Sequence, residues 1–229
     1  VGEVGFDYRI MEVFKEHNLP LGIVNVISGS GRDFSSELIG SKNIHGIIFF
    51  GNSTAGFDVA SKAIKKGKKV ILELAGSDGA MIWNDVDIEQ VADKIIEGRF
   101  MASGQICFAL KRVYVHKDIY DKFVEVVTSK VKQLKNISSE VQPEYDLIDQ
   151  FPIGSIKALN SLEGIVSTAK GQGATISTGG QRTDYHGKID ELGLFFQPTV
   201  ISNVDHTMNV MTKETFGPIL PIMKVGSLE

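Results

Sequence analysis

The chain has 229 residues and a formal net charge of −4. That length can bury a sizeable core, as one large domain or as parts of two, and the mildly acidic balance argues against non-specific nucleic-acid binding and against a basic membrane-surface face. No apolar stretch approaches the ~18 residues of a membrane span, and the single cysteine, Cys107, excludes an internal disulfide and points to a reducing, cytoplasmic compartment.

Residues 7–17, DYRIMEVFKEH, have helical spacing and end at NLP. GIVNVIS (22–28) reads as a short strand closing on GSG. IHGIIFF (44–50) reads as a second strand, followed by GNSTAG and a helix carrying Ala55, Val59, Ala60, Ala63 and Ile64. KKVILEL (68–74) is a third strand. Strands that are apolar throughout and alternate with helices predict an α/β fold around a buried, mostly parallel sheet. Asp85 or Asp87 can cap a helix with Ile88, Val91, Ala92, Ile95 and Ile96 on one face. ALKRVYV (109–115) is a strand. Residues 117–134 form the clearest helix, with Ile119, Tyr120, Phe123, Val124, Val127, Val131 and Leu134 at i, i+3/4 spacing. An extended loop is expected over 136–154, then a helix over 155–171. GATISTGG and GLFFQPTVIS read as strands or loop edges, and GPILPIMKV as a final strand. There is no internal repeat. A first residue that is valine rather than methionine points to a processed or truncated start, and no signal peptide is legible.

Four stretches can carry chemistry. FFGNSTAG (49–56) is strand, turn, helix: Gly51 permits the sharp turn, and the first helical N–H groups face outward beside Asn52, Ser53 and Thr54. Such an end suits a phosphate, or is an ordinary capped turn. Glu73, in LELAG, ends an otherwise apolar strand and is either solvated, paired or held in a dry pocket. Cys107, in GQIC, follows a helix pattern and precedes a strand; it is an inert small hydrophobe or an activated nucleophile. Glu73 can supply the base that such a thiol and a later hydrolysis need, and no histidine suggests a Cys–His pair. KETFGP (213–218) places Glu214 and Phe216 just before the last strand. The five histidines have no partner at metal-ligand spacing, so no metal is expected.

Together these stretches resemble the aldehyde dehydrogenase superfamily. FFGNSTAG is similar to that family's F-T-G-S-x-x-x-G turn, LELAGSDGAMIWNDVD to L-E-L-G-G-K-x-P-x-I-V-x-x-D-A-D, and SGQICFALKRVYV to G-Q-x-C-x-x-x-x-R-x-x-V. FFQPTVIS and KETFGPILPI are similar to F-x-P-T-V-L and E-E-x-F-G-P-V-x-P-V. LPLGIVNVISGSG matches the run to the adenine-side turn. The matches keep family order from about residue 19 to 225.

The resemblance implies an aldehyde dehydrogenase-like α/β fold. Part of a Rossmann-type NAD(P)-binding domain would occupy 1–75 and the cysteine-bearing catalytic domain 76–229, truncated at both ends. It implies NAD or NADP as cofactor and oxidation of a small-molecule aldehyde to its acid through a hemithioacetal and a thioester. Cys107 aligns with the nucleophile, and its backbone N–H would supply half of an oxyanion hole. Glu73 aligns with the general base, and the two side chains would face one cleft. Gly51, Asn52, Ser53 and Gly56 would face the pyrophosphate, Gly31 the adenosine, and Leu74 the nicotinamide. Glu214 would hold the nicotinamide ribose hydroxyls with Phe216 beside it. Met101, Ile106 and Phe108 would line the aldehyde pocket. A homo-dimer or homo-tetramer is implied for the full-length protein. Asn52, Ala75, Ser77, Asp78 and Lys213 depart from the usual family residues without removing a catalytic group. Nothing matches the family's upstream P-W-N and K-P-S/A-E segments or its C-terminal strand. Alternatives are a CoA-acylating or reductive member, and a silent binding or structural fragment; retention of Glu73 favours hydrolysis.

Overall fold

The computed structural model describes residues 4–137 and 148–226. The chain divides into two compact units, Val1–Ala75 and Gly76–Glu229.

The first unit runs α1 (Val4–Glu16), α2 (Gly31–Gly40), β1 (Gly46–Phe50), α3 (Ser53–Ile64) and β2 (Lys69–Glu73). β1 and β2 pair in parallel, from Gly46 opposite Lys69 to Phe50 opposite Glu73. The crossover helix α3 starts at Asn52, whose Oδ1 accepts the Ala55 N–H at 2.9 Å. Strand side chains alternate between faces. Ile47, Phe49 and Val70 pack on Ile39, Val59 and Ala63 of α2 and α3, while Ile48, Phe50 and Ile71 stand exposed. The apolar runs predict burial on both faces; one face is covered here, because α2 and α3 contribute to the same side.

The strand expected over 22–28 does not form. Pro20 and Gly22 turn the chain, the Ile23 N–H reaching the Pro20 carbonyl and the Asn25 side chain the Gly22 carbonyl. Among the described residues the segment has no ladder partner, and Ile23 and Ile27 are exposed. Helix α2 carries no sequence signal: GRDFSSELIG has three large apolar residues between glycine ends.

The second unit is built on a five-stranded sheet. Its elements are β3 (Asp78–Ile82), α4 (Ile88–Phe100), β4 (Leu110–His116), α5 (Tyr120–Val131), α6 (Ile156–Gly171), β5 (Thr175–Thr178), β6 (Arg182–Thr183), β7 (Phe195–Phe196), β8 (Thr199–Ser202), α7 (Asn209–Thr212) and β9 (Ile219–Val225). The order is β3-β4-β9-β8-β5, parallel except for β5; β6 and β7 form a separate short ribbon. Of the loop expected over 136–154, residues 138–147 lie outside the described residues.

Here both faces of the sheet are covered. Val113, Val115, Val200, Leu220 and Ile222 point into a core with Phe100 of α4 and Phe123 and Val127 of α5. Ile201 and Ile219, one residue out of step, point into a second core with Leu159 and Leu162 of α6 and Met211 of α7. Asp87 caps α4 by accepting the Gln90 N–H at 3.0 Å, and Ser155 caps α6 by accepting the Ala158 N–H at 3.1 Å. Among the described residues no helix is long and apolar enough to cross a membrane. Phe123 has no solvent exposure whereas Ile48 is 62% exposed. Phe123→Ala is therefore expected to cost about 3–5 kcal/mol in urea unfolding, and Ile48→Thr to change stability by less than about 0.5 kcal/mol.

Candidate functional site

In the first unit the predicted cofactor residues other than Gly31 gather at the C-terminal ends of the two strands. Gly51 follows β1, and its N–H donates to the Glu73 carbonyl at the end of β2, 3.1 Å away. Asn52 and Ser53 begin α3, and Gly56 packs against the Leu74 side chain. The Glu73 carboxylate is exposed. Gly31 opens α2 and borders a cavity of about 1000 Å³ between α2, α3 and β1, lined mainly by Phe34, Leu38, Ile47, Phe49 and Val59.

In the second unit the predicted residues lie at the opposite end of the strands. Gly76 leads into β3, Cys107 into β4, and Glu214 and Phe216 into β9. These three strands are parallel and adjacent in the order β3-β4-β9, so their lead-ins share the N-terminal edge of the sheet. Three contacts join them. A Cβ on Gly76 would stand 2.4 Å from the Cys107 carbonyl oxygen, so only glycine permits this approach. The Gly76 N–H donates to Glu214 Oε1 at 3.3 Å. Gly104 rests on the Gly217 carbonyl, where a Cβ would come within 2.6 Å. The thiol of Cys107 and the ring of Phe108 are exposed; Met101 and Ile106 are half-buried, and Phe216 is 45% exposed.

The loop bearing the thiol leaves α4 through a tight turn. Ala102, Ser103 and Gly104 all take positive φ, at 49°, 59° and 66°, a conformation that costs non-glycine residues energy and needs support. Ser103 Oγ supplies it by accepting the Phe151 N–H at 2.6 Å and donating to the Phe151 carbonyl at 3.0 Å. Gln105 accepts the Gly154 N–H at 2.9 Å and donates to the Pro152 carbonyl at 3.1 Å.

Two buried cations lie behind the edge. Arg99, with no exposure, donates from Nε to the Ile219 carbonyl at 2.7 Å and from Nη2 to the carbonyls of Thr215, at 3.0 Å, and Gly217. Burial pushes its guanidinium down to about 9, opposed by the charge of Glu214. Lys111, 1% exposed, donates to the Ile106 carbonyl at 2.6 Å, with its ammonium 5.2 Å from the Phe216 ring centroid. Among the described residues no three His, Cys, Asp or Glu side chains are grouped to hold a metal ion.

The profile of the aldehyde dehydrogenase family matches residues 4–229. The chain belongs to the aldehyde dehydrogenase family. It is 34% identical over 218 residues to the peroxisomal aminoaldehyde dehydrogenase 1 of Pisum sativum, covering 95% of this chain and 42% of that protein. It is 30% identical over 220 residues to the D-glyceraldehyde dehydrogenase (NADP(+)) of Picrophilus torridus, covering 96% of this chain and 43% of that one. Among solved structures, betaine aldehyde dehydrogenase from Staphylococcus aureus in complex with NAD+ matches with a TM-score of 0.84 and 31% identity, over 96% of this chain and 42% of the other. The chain thus spans less than half the length of these aldehyde dehydrogenases.

Arg99 and Lys111 escape a motif search of this family member but not its periodicity. Arg99 continues the buried stripe of Ala92, Ile95 and Ile96 along α4, and Lys111 shares the face of Val113 and Val115 on β4. A charge in a core stripe is the signal to follow. Arg99→Met would remove the charged donor from the carbonyls of Thr215, Gly217 and Ile219, of which Gly217 keeps the Ile219 N–H, and is expected to cost about 3 kcal/mol or more in urea unfolding. Lys94→Met, which removes an exposed Lys94–Glu97 pair on the same helix, should be neutral within about 0.5 kcal/mol.

Proposed function

We propose that this chain carries the reacting thiol and part of the dinucleotide site of an NAD(P)-dependent aldehyde dehydrogenase that oxidises an aldehyde to its acid. The observation that carries this reading is Cys107 itself. The sole cysteine is exposed on a loop that Gly76, Ser103, Gln105 and Lys111 hold from four directions. An inert cysteine needs no such support. The names of the relatives support the substrate class, and the NADP(+) and NAD+ in two of them support the cofactor.

The first unit suits a dinucleotide. The mostly apolar cavity between α2, α3 and β1 has room for an adenosine, and the N-terminus of α3 at Asn52 and Ser53 presents backbone N–H groups to a pyrophosphate. Gly31 would lie on the adenosine side and Gly51 to Gly56 on the pyrophosphate side. Leu74 would offer its carbonyl to the carboxamide. Bound there, the nicotinamide would supply the hydride acceptor.

The chain's own residues do the rest. The Cys107 thiolate attacks the aldehyde carbon, forming the C–S bond of a hemithioacetal. The Cys107 N–H, which donates to no acceptor among the described residues, is available to the carbonyl oxygen as negative charge develops there. Loss of hydride leaves a thioester, and water activated by Glu73 hydrolyses it. Glu214 would hold the nicotinamide ribose, with Phe216 beside it. Met101, Ile106 and Phe108 border the aldehyde. A free thiol of this kind suits a reducing cytoplasm.

In the whole protein, Cys107→Ala should abolish aldehyde-dependent NAD(P)H formation, and Glu73→Gln should slow turnover by about 10²-fold or more. Wild-type turnover in either variant overturns the assignment. Glu214→Gln should slow single-turnover NAD(P)H formation while changing cofactor dissociation only modestly, because one carboxylate fixing ribose rotation matters most to alignment. An unchanged single-turnover rate would make Glu214 a partner of the Gly76 N–H alone.

A further inference from the structure

The carbonyl that Lys111 holds belongs to the same peptide unit as the N–H of Cys107. A peptide is planar, so fixing its oxygen fixes the direction of its N–H. The Ile106 oxygen accepts two donors, the Lys111 ammonium at 2.6 Å and the Ala109 N–H at 3.2 Å. Only the first carries charge. A cation on the oxygen draws electron density from the amide and makes the N–H a stronger donor. The lysine can be there because β4 runs directly from the loop: four residues on from Cys107, its side chain turns to the buried face and back beneath the thiol's own peptide. We propose that Lys111 is a positioning residue for the oxyanion site, aiming and polarising the Cys107 N–H toward the oxygen of the bound carbonyl. This rests on the reading of Cys107 as nucleophile.

The charges around Lys111 fit the role. It faces Arg99 from α4, Asp78 from β3, Cys107 from its own loop and Glu214 from the segment before β9. Burial and Arg99 push its ammonium down to about 8, against the opposing pull of Glu214, Cys107 and Asp78. The ammonium is therefore charged at neutral pH and loses its proton over the next pH units. The residue does not touch substrate in this scheme; it acts through the peptide it holds.

The test compares two reactions of the one thiol in the 229-residue chain, neither needing cofactor or aldehyde. With p-nitrophenyl acetate the Cys107 thiolate attacks the ester carbonyl, the C–S bond forms through a tetrahedral oxyanion, and p-nitrophenolate leaves with the electron pair of the broken C–O bond. With iodoacetamide the same thiolate displaces iodide, and no oxyanion forms. The ratio of the two rates isolates the oxyanion step from thiol ionisation and access. Lys111→Met should lower that ratio by about tenfold at pH 7, less than the loss of a donor that touches the oxyanion. Lys111→Arg should restore it to within about threefold. An unchanged ratio in a folded Met variant, or equal losses in both reactions, overturns the inference and leaves the nucleophile reading standing. Should the Met variant not fold, the wild type decides: its ratio, corrected with Cys107→Ala, should fall several-fold from pH 7 to pH 10 as Lys111 loses its proton. A flat ratio contradicts the proposal. Wild-type acylation no faster than that of Cys107→Ala would instead overturn the nucleophile reading, and this inference with it.

Discussion

The guanidinium of Arg99 donates from Nε and Nη2 to the backbone of one short segment. Through the carbonyls of Thr215, Gly217 and Ile219 it fixes how the chain approaches β9. A buried charge is tolerated only when it is hydrogen-bonded, and buried backbone carbonyls need donors. Nε and Nη2 of Arg99 meet these carbonyls, and that of Gly217 also receives the Ile219 N–H. Other contacts follow from that fixed segment: Glu214 meets the Gly76 N–H, Gly217 receives Gly104, and Phe216 lies over the Lys111 ammonium. The loop with the thiol is thus braced against the lead-ins of the neighbouring strands. Its own turn holds three successive residues at positive φ, and interactions outside the turn must balance that strain.

The two units place their candidate residues at opposite ends of their strands. In the first, the turn after β1 and the end of β2 put Gly51 and Glu73 at the C-terminal edge, where open α/β sheets take ligands. In the second, the strands start from Gly76, Cys107 and Glu214, so the candidate residues occupy the N-terminal edge. A rule that looks only to C-terminal edges finds Glu73 and misses the thiol.

Much of this was legible because the local signals agree with the packing. The strands at 44–50, 68–74 and 109–115 and the helices around Phe123 and Leu159 form where apolar spacing agrees with the packing. The segment at 22–28 has the apolar residues of a strand, but pairing is non-local, and Pro20 with Gly22 decides for a turn. The exposed faces of Ile48, Phe50 and Ile71 show the same limit: an apolar run says that a side chain can be buried, not what covers it. Among site residues, those in motifs are readable in order along the chain. Gly76 and Arg99 matter through contacts with backbone far away in sequence, and Lys111 through the nearby Ile106 carbonyl; backbone carbonyls leave no mark in a sequence.

The most direct test of the covalent chemistry is rapid-quench mass spectrometry of the whole protein with aldehyde and NAD(P), using Glu73→Gln so that deacylation is slow. The acyl group should accumulate on the peptide that contains Cys107, with one equivalent of reduced cofactor formed. Reduced cofactor formed without an acyl group on Cys107, or an acyl group on another residue, would contradict the assignment.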